Sequence, residues 1–264
     1  MNIVVCVKFV PDSTADRRFE DDGTVDRIGV DGLLSELDEY AVEQALQVRE
    51  RLADDSPESS VTVLTVGPDG AADALRKALQ MGSDKAVHVL DDAVAGSCAL
   101  STSLVLAEAL RKTEFDLVVC GMASTDGSMG VIPSMLAERL GVPAVTLGSS
   151  VELDGDTLRI RRDGDAATET IEATLPLVSS VTDQSGEARY PSFKGIMAAK
   201  KKPLETWSLA DLGVDAELVG LTAASSVVVT AEARPPRTAG RVVADDDGSG
   251  ARALVEFLAT NTFI

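Results

Sequence analysis

Histidine is almost absent from this chain: His88 is the only one, and it sits in the apolar run Ala-Val-His-Val-Leu. A single histidine there reads as a structural residue, and without a second histidine or a cysteine pair a zinc site is excluded. Cysteine is scarce as well. Cys6, Cys98 and Cys120 lie far apart in apolar contexts. An odd count without C-x-x-C spacing reads as buried, inert thiols in a reducing compartment. Positive charge is in deficit, with 24 Lys plus Arg against 43 Asp plus Glu and a net charge of -19. That balance excludes nucleic acid or an anionic membrane surface as the partner of the chain as a whole. No apolar run approaches the roughly 18 residues of a membrane span, so no direct membrane insertion is expected. The first residues open on a strand-like run, without a basic n-region or a small-residue cleavage site. The expected location is therefore cytoplasmic.

Catalytic signatures are missing too. There is no G-x-G-x-x-G after a strand, no phosphate-loop motif, no G-x-S-x-G elbow, no histidine-based triad and no metal cluster. A chain with no nucleophile–base pair is a poor candidate for group transfer by its own side chains, so it reads as a non-enzyme.

What is present is a rhythm. Of 264 residues, 45% are hydrophobic and 25% charged, enough for one large domain or two small ones. Short Val-rich runs at 3–7, 61–66, 86–90, 117–120 and 144–147 are apolar at consecutive positions, as strands are when both faces are covered. Helical patterns separate them. In 37–52 the apolar residues Leu37, Ala41, Ala45, Val48 and Leu52 form one stripe, with Asp38, Glu39, Glu43, Gln47 and Glu50 outside it. Ser35 with Asp38 reads as a capping pair at its start. Further helices are expected at 71–81, 98–111 and 131–140. This alternation predicts an α/β, doubly wound parallel sheet, with ligands bound beyond the carboxyl ends of strands at 8–12, 66–69 and 121–130.

After residue 149 the period changes. Segments 151–153, 157–162 and 168–174, joined at Asp154-Gly155 and Asp163-Gly164, predict an antiparallel β meander whose Asp-Gly pairs supply positive φ. One more strand is expected at 177–182, a capped helical turn at 208–212, a strand at 227–230 and a short helix at 251–259. Residues 234–250, with their prolines, glycines and charges, read as an extended C-terminal arm of the kind that lies on another polypeptide.

Two segments could carry function. Gly121–Gly130, GMASTDGSMG, lies between a strand and a helix. It reads either as a phosphate cradle, with close-approach glycines, helix-terminal amides and the hydroxyls of Ser124, Thr125 and Ser128, or as a tight loop that needs only small residues. Asp126 adds like charge to a phosphate site and could instead cap the helix or meet a ribose hydroxyl. RYPSFKGIMAAKKKP at 189–203 reads either as an exposed docking segment with an apolar anchor and positive charge, or as a loop folded onto its own domain with solvated lysines.

In order and spacing over nearly the whole chain, the residues resemble the beta subunit of electron transfer flavoprotein. The similarity is carried by Val7-Lys8-Phe9-Val10-Pro11-Asp12, by Leu37-Asp38-Glu39-Tyr40-Ala41-Val42-Glu43, by Ala78-Leu79-Gln80-Met81-Gly82 with Asp84, and by the Gly121 loop. Most specific is Arg189-Tyr190 followed by Gly195-Ile196-Met197-Ala198-Ala199-Lys200-Lys201-Lys202-Pro203. The resemblance implies a universal-stress-protein-like adenine-nucleotide-binding fold and a structural AMP. It implies a heterodimer with an alpha subunit that holds most of the FAD. Electrons would enter from flavin dehydrogenases such as the acyl-CoA dehydrogenases of fatty acid β-oxidation and leave to a quinone oxidoreductase.

By position, the resemblance places AMP contacts at Cys6, Ser35, Glu36, Leu37, Asp38, Val66, Gly121, Ser124, Thr125, Asp126, Gly127, Ser128 and Met129. It places partner docking at Tyr190, Phe193, Ile196 and Met197, with Phe193 where the family often has leucine. The implied organisation is a nucleotide-binding domain with its meander over 1–183, a docking loop and basic segment over 184–203, and a C-terminal arm on the alpha subunit over 204–264. The alternative is an ATP-binding signalling module in the universal stress protein mould.

Overall fold

The computed structural model describes residues 1–52, 58–235, 240, 242–245 and 248–264. In chain order the elements are β1 (Asn2–Cys6), β2 (Phe9–Pro11), β3 (Gly32–Leu34), α1 (Glu36–Arg51), β4 (Ser60–Val66), α2 (Ala72–Met81) and β5 (Lys85–Val89). There follow α3 (Ala99–Thr113), β6 (Leu117–Gly121), α4 (Ile132–Leu140), β7 (Ala144–Gly148), β8 (Ser150–Asp154), β9 (Thr157–Asp163) and β10 (Thr168–Thr174). The last are β11 (Leu177–Val181), α5 (Phe193–Ala199), β12 (Leu204–Trp207), α6 (Leu209–Leu212) and α7 (Ser249–Thr260).

Seven strands pair in parallel in the order β12-β5-β4-β1-β6-β11-β7. The strands are apolar on both faces because both are covered. Residues of α1 and α2 pack on one face and residues of α3, α4 and α6 on the other, each in its own buried cluster. The expected parallel sheet is thus present, with two differences. The segment 177–182 is no peripheral addition: β11 lies between β6 and β7, fully buried, and pushes β7 to the edge. Leu204–Trp207, which carries no strand signal beyond a short alternation, adds the other edge beside β5.

The meander is a separate three-stranded antiparallel sheet, β10-β9-β8, whose Val151, Leu158 and Ile160 join the cluster under α1. Its first turn uses Gly155 at φ 60°, as expected. The second turn does not use Gly164 that way. Gly164 lies outside the positive-φ set and its amide donates to the Ala167 carbonyl, so a longer loop relieves the need for a left-handed residue.

Ser35 precedes α1, but its hydroxyl makes no cap bond; its amide donates to the Lys8 carbonyl, and the Asp38 carboxylate accepts the Lys8 amide. The structure corrects the polar face of α1 in the same way. Asp38 and Glu43 are buried, since neighbouring segments cover that face and supply donors. Residues 227–230 form no strand, and Val227, Val228 and Val229 are exposed. Cys6 and Cys120 are buried as expected, but Cys98 is only half-buried. There, backbone amides at the start of α3, foremost Ser101, draw its thiol down to about 7.

Contacts divide the chain into Met1–Ala231 and Glu232–Ile264. The boundary expected at residue 204 therefore falls inside the first unit, where β12 extends the sheet and α6 packs in the second cluster. The second unit holds α7, whose Phe257 ring meets Phe263 at 6.3 Å. The arm expected over 234–250 falls partly on residues 236–239, 241 and 246–247, which lie outside the described residues. Among the described residues no helix is long and apolar enough to cross a membrane.

Because β11 is an interior strand, Leu177→Ala should cost about 2–5 kcal/mol, the range for deleting a fully buried leucine side chain. A loss of unfolding free energy in urea of less than about 1 kcal/mol would contradict the interior placement.

Candidate functional site

The chain order of the sheet reverses at the β1–β6 pair: β4 and β5 lie to one side of β1, and β6 and β11 to the other. In such sheets the crevice beyond the carboxyl ends at this point is where ligands bind. Cys6 and Cys120 face each other across that pair, and the Gly121–Gly130 loop begins there.

Three segments are locked together at the crevice by one carboxylate. Asp38 Oδ2 accepts the Lys8 amide at 2.8 Å, tying the end of β1 to the first turn of α1. The Gly121 amide also donates to Asp38, tying in the end of β6. This approach requires glycine, because a Cβ at 121 would sit 2.5 Å from Asp38 Oδ1 and 2.7 Å from the Leu37 carbonyl oxygen. Burial raises the Asp38 carboxyl to about 7, outweighing the two amides and the Lys8 charge that favour its ionised form. The buried Cys120 thiol beside it is pushed upward, first by its hydrogen bond with Cys6 and then by desolvation.

The loop itself is held by cations that its own composition does not announce. Asp126 is only 1% exposed at its side chain; Lys8 Nζ lies 2.8 Å and Arg27 Nη2 2.5 Å from its Oδ2. Burial works against that charge, but Lys8 and Arg27 more than offset it and hold the carboxyl well below the usual carboxylate range. Arg17 Nη2 donates to the Thr125 carbonyl at 2.9 Å. The like charge that Asp126 brings is thus matched by two cations, leaving the pocket rim positive. Lys8 stands in the strand-end segment 8–12 singled out from sequence, whereas Arg17 and Arg27 lie outside the residues singled out. Only the mixed charge of residues 8–27 hinted at them, because they come to the loop through the β2–β3 hairpin.

Among the expected contacts, Cys6, Ser35, Leu37, Asp38, Gly121, Ser124, Thr125 and Asp126 belong to this junction. Val66 ends β4 one strand away, where the Gly67 carbonyl meets His88 Nε2 at 3.1 Å. His88 is therefore structural, as expected. Glu36, Gly127, Ser128 and Met129 face outward and are exposed. Two buried hydroxyls at the junction, Ser35 Oγ and Thr125 Oγ1, find no partner among the described residues. Buried donors without partners are costly, so their position here suits a polar ligand. The donor set of amides, hydroxyls and a positive rim suits a phosphate-bearing molecule. Among the described residues there is no group of His, Cys, Asp and Glu that could hold a metal.

The second segment combines features of both its readings. Arg189 and Lys202 fold onto the body, whereas Tyr190 (91% exposed), Phe193 (81%), Ile196 and Met197 point outward. Lys202 is no solvated lysine: Nζ donates to the carbonyls of Leu79 at 3.0 Å and Ser83 at 2.5 Å, and burial lowers its pKa.

The profile of the electron transfer flavoprotein domain matches residues 22–212. An electron transfer flavoprotein subunit beta from Mycobacterium tuberculosis is 46% identical over 265 residues, covering 100% of this chain and 99% of that one. The chain belongs to the electron transfer flavoprotein family, as a beta subunit. A Clostridium acetobutylicum subunit beta is 34% identical, with 92% of each chain covered. The caffeyl-CoA reductase-Etf complex subunit CarD of Acetobacterium woodii is 32% identical, again with 92% of each covered. Membership in this family implies an alpha-subunit partner, the involvement of a flavin, and a part in electron transport.

The Asp38 carboxyl gives a signed pH prediction. Its raised native value means that its contribution to stability is fully present below about 4 and is lost as pH rises through 7. Asp38→Asn cannot ionise, so relative to the parent it should lose less stability at pH 8 than at pH 5. Equal differences in urea midpoint at both pH values would refute the raised value.

Proposed function

We propose that this beta subunit holds AMP at the β1–β6 crevice as an architectural ligand and presents α5 to flavin dehydrogenases, making no bonds itself. The observation that carries the reading is the pair of unpartnered buried hydroxyls, Ser35 Oγ and Thr125 Oγ1, at a positively rimmed loop on the reversal point of the sheet. The amides of residues 124–128 and these hydroxyls would hold the phosphate and ribose, and Lys8 with Arg27 would keep Asp126 from repelling it. FAD, bound mostly by the alpha subunit, supplies the electron-carrying chemistry of the heterodimer. Acyl-CoA dehydrogenases of fatty acid oxidation are the proposed donors and a quinone oxidoreductase the proposed acceptor. The segment beyond residue 231 is the proposed contact with the alpha subunit, its α7 carrying exposed Leu254, Val255 and Phe257.

This division of labour accounts for a chain with one histidine and no nucleophile–base pair, and for four outward apolar side chains next to each other in a protein of net charge -19. Family membership over the full chain weighs against the signalling-module alternative, which leaves the meander and α5 without a task.

Denaturing the purified heterodimer and weighing what it releases should give AMP and FAD in near-equal amounts. Release of FAD alone would remove the nucleotide from the proposal. Phe193→Ala should slow electron uptake from an acyl-CoA dehydrogenase by about tenfold at sub-saturating donor, the scale of losing an anchor side chain, with flavin content unchanged. Parent-like rates would count against docking at α5.

A further inference from the structure

The docking helix α5 has seven residues, too few to hold its shape alone in water. Its order must come from the body of the protein, and the contacts that supply it are unevenly distributed. Within α5 the Ser192 hydroxyl accepts the Gly195 amide at 3.0 Å. Gly195 lies so close to the end of α2 that a Cβ there would meet the Gln80 carbonyl oxygen at 2.5 Å. Lys202 pins the far end through its two carbonyls.

At the near end, most of the polar grip is exerted by one residue. Arg189 makes five hydrogen bonds to two carboxylates about two turns apart on α1. Its Nε and backbone amide reach Glu43 Oε2 at 2.6 and 3.1 Å, and Nη2 reaches Glu43 Oε1 at 3.0 Å. Nη1 and Nη2 reach Glu50 Oε1 and Oε2 at 2.6 and 3.0 Å. Glu43 is buried and also accepts Gln47 Nε2 at 2.8 Å, while Gln44 Nε2 donates to the Ser185 carbonyl at 2.8 Å. One face of α1 thus grips the chain immediately before the outward-facing Tyr190 and Phe193. The same helix begins at Asp38, in the crevice.

We infer that Arg189 is a positioning residue for partner docking: by forking onto Glu43 and Glu50 it fixes the root of the 190–199 segment on α1, so the apolar anchors are presented already ordered. The inference rests on the docking reading above and deepens it. A segment that is ordered before encounter avoids the entropy of ordering on binding, so loosening the root raises the concentration of donor needed without touching the redox step. A planar fork is essential to this grip, because lysine carries the charge but cannot serve both carboxylates with paired donors.

The test uses the heterodimer co-expressed with its alpha subunit. Amide hydrogen exchange over residues 190–202 reads the order of the segment directly. Electron uptake from an acyl-CoA dehydrogenase that reduces the parent heterodimer reads docking. Arg189→Lys should speed exchange of the Phe193–Ala199 amides roughly tenfold and raise the KM for the dehydrogenase by roughly three- to tenfold, with the effect on KM rather than kcat. Glu50→Gln, on the exposed side of the fork, should produce the same pattern more weakly, and it carries the test if the arginine variant fails to assemble. Parent-like exchange and KM in both variants would overturn the inference, as would a fall in kcat at constant KM. If Phe193→Ala is impaired while the fork variants are not, only the role of Arg189 is lost; if Phe193→Ala is itself unimpaired, the docking reading falls first.

Discussion

A buried carboxylate at the centre of the sheet is the constraint on which the arrangement depends. Asp38 joins the end of β1, the start of α1 and the end of β6 through the amides of Lys8 and Gly121. Burial alone would keep that group protonated, and the amides only partly compensate. The fold tolerates the cost because the junction determines where the Gly121 loop leaves the sheet. Without the close approach of Gly121 to Leu37 and Asp38, the loop could not turn over the crevice.

From this junction α1 extends toward the chain at 185–189. Its first turn belongs to the nucleotide-type crevice, and its next turns carry Glu43, Gln44, Gln47 and Glu50 toward the chain at 185–189. The candidate crevice and the proposed docking segment thus share one helix. Charge is handled consistently at both ends. Each buried acid has a cation or amides aimed at it, Lys8 and Arg27 at Asp126 and Arg189 at Glu43, and removing one partner of such a pair is far more damaging than its net worth suggests.

Much of this was legible from residue order. Consecutive Val-rich runs separated by helical stripes announced a parallel sheet, and the shift to alternation with Asp-Gly turns announced the meander. The small, hydroxyl-rich 121–130 loop and the apolar-plus-basic 189–203 segment stood out by composition. The order of β11 in the sheet did not, because a buried run looks the same whether it lies at the centre or near an edge. Nor did β12, four residues long, whose state is decided by the open edge of β5.

The sequence by itself determined the class of fold and the two segments worth inspecting, because periodicity and residue type act locally. Only the tertiary structure decided that Asp38 and Glu43 are buried, that Lys8, Arg17 and Arg27 converge on the Gly121 loop, and that Arg189 and Lys202 are fasteners and not solvated charges. Each of those facts depends on residues some thirty to a hundred and forty positions apart, and the pairing of distant charges leaves no periodic trace along the chain.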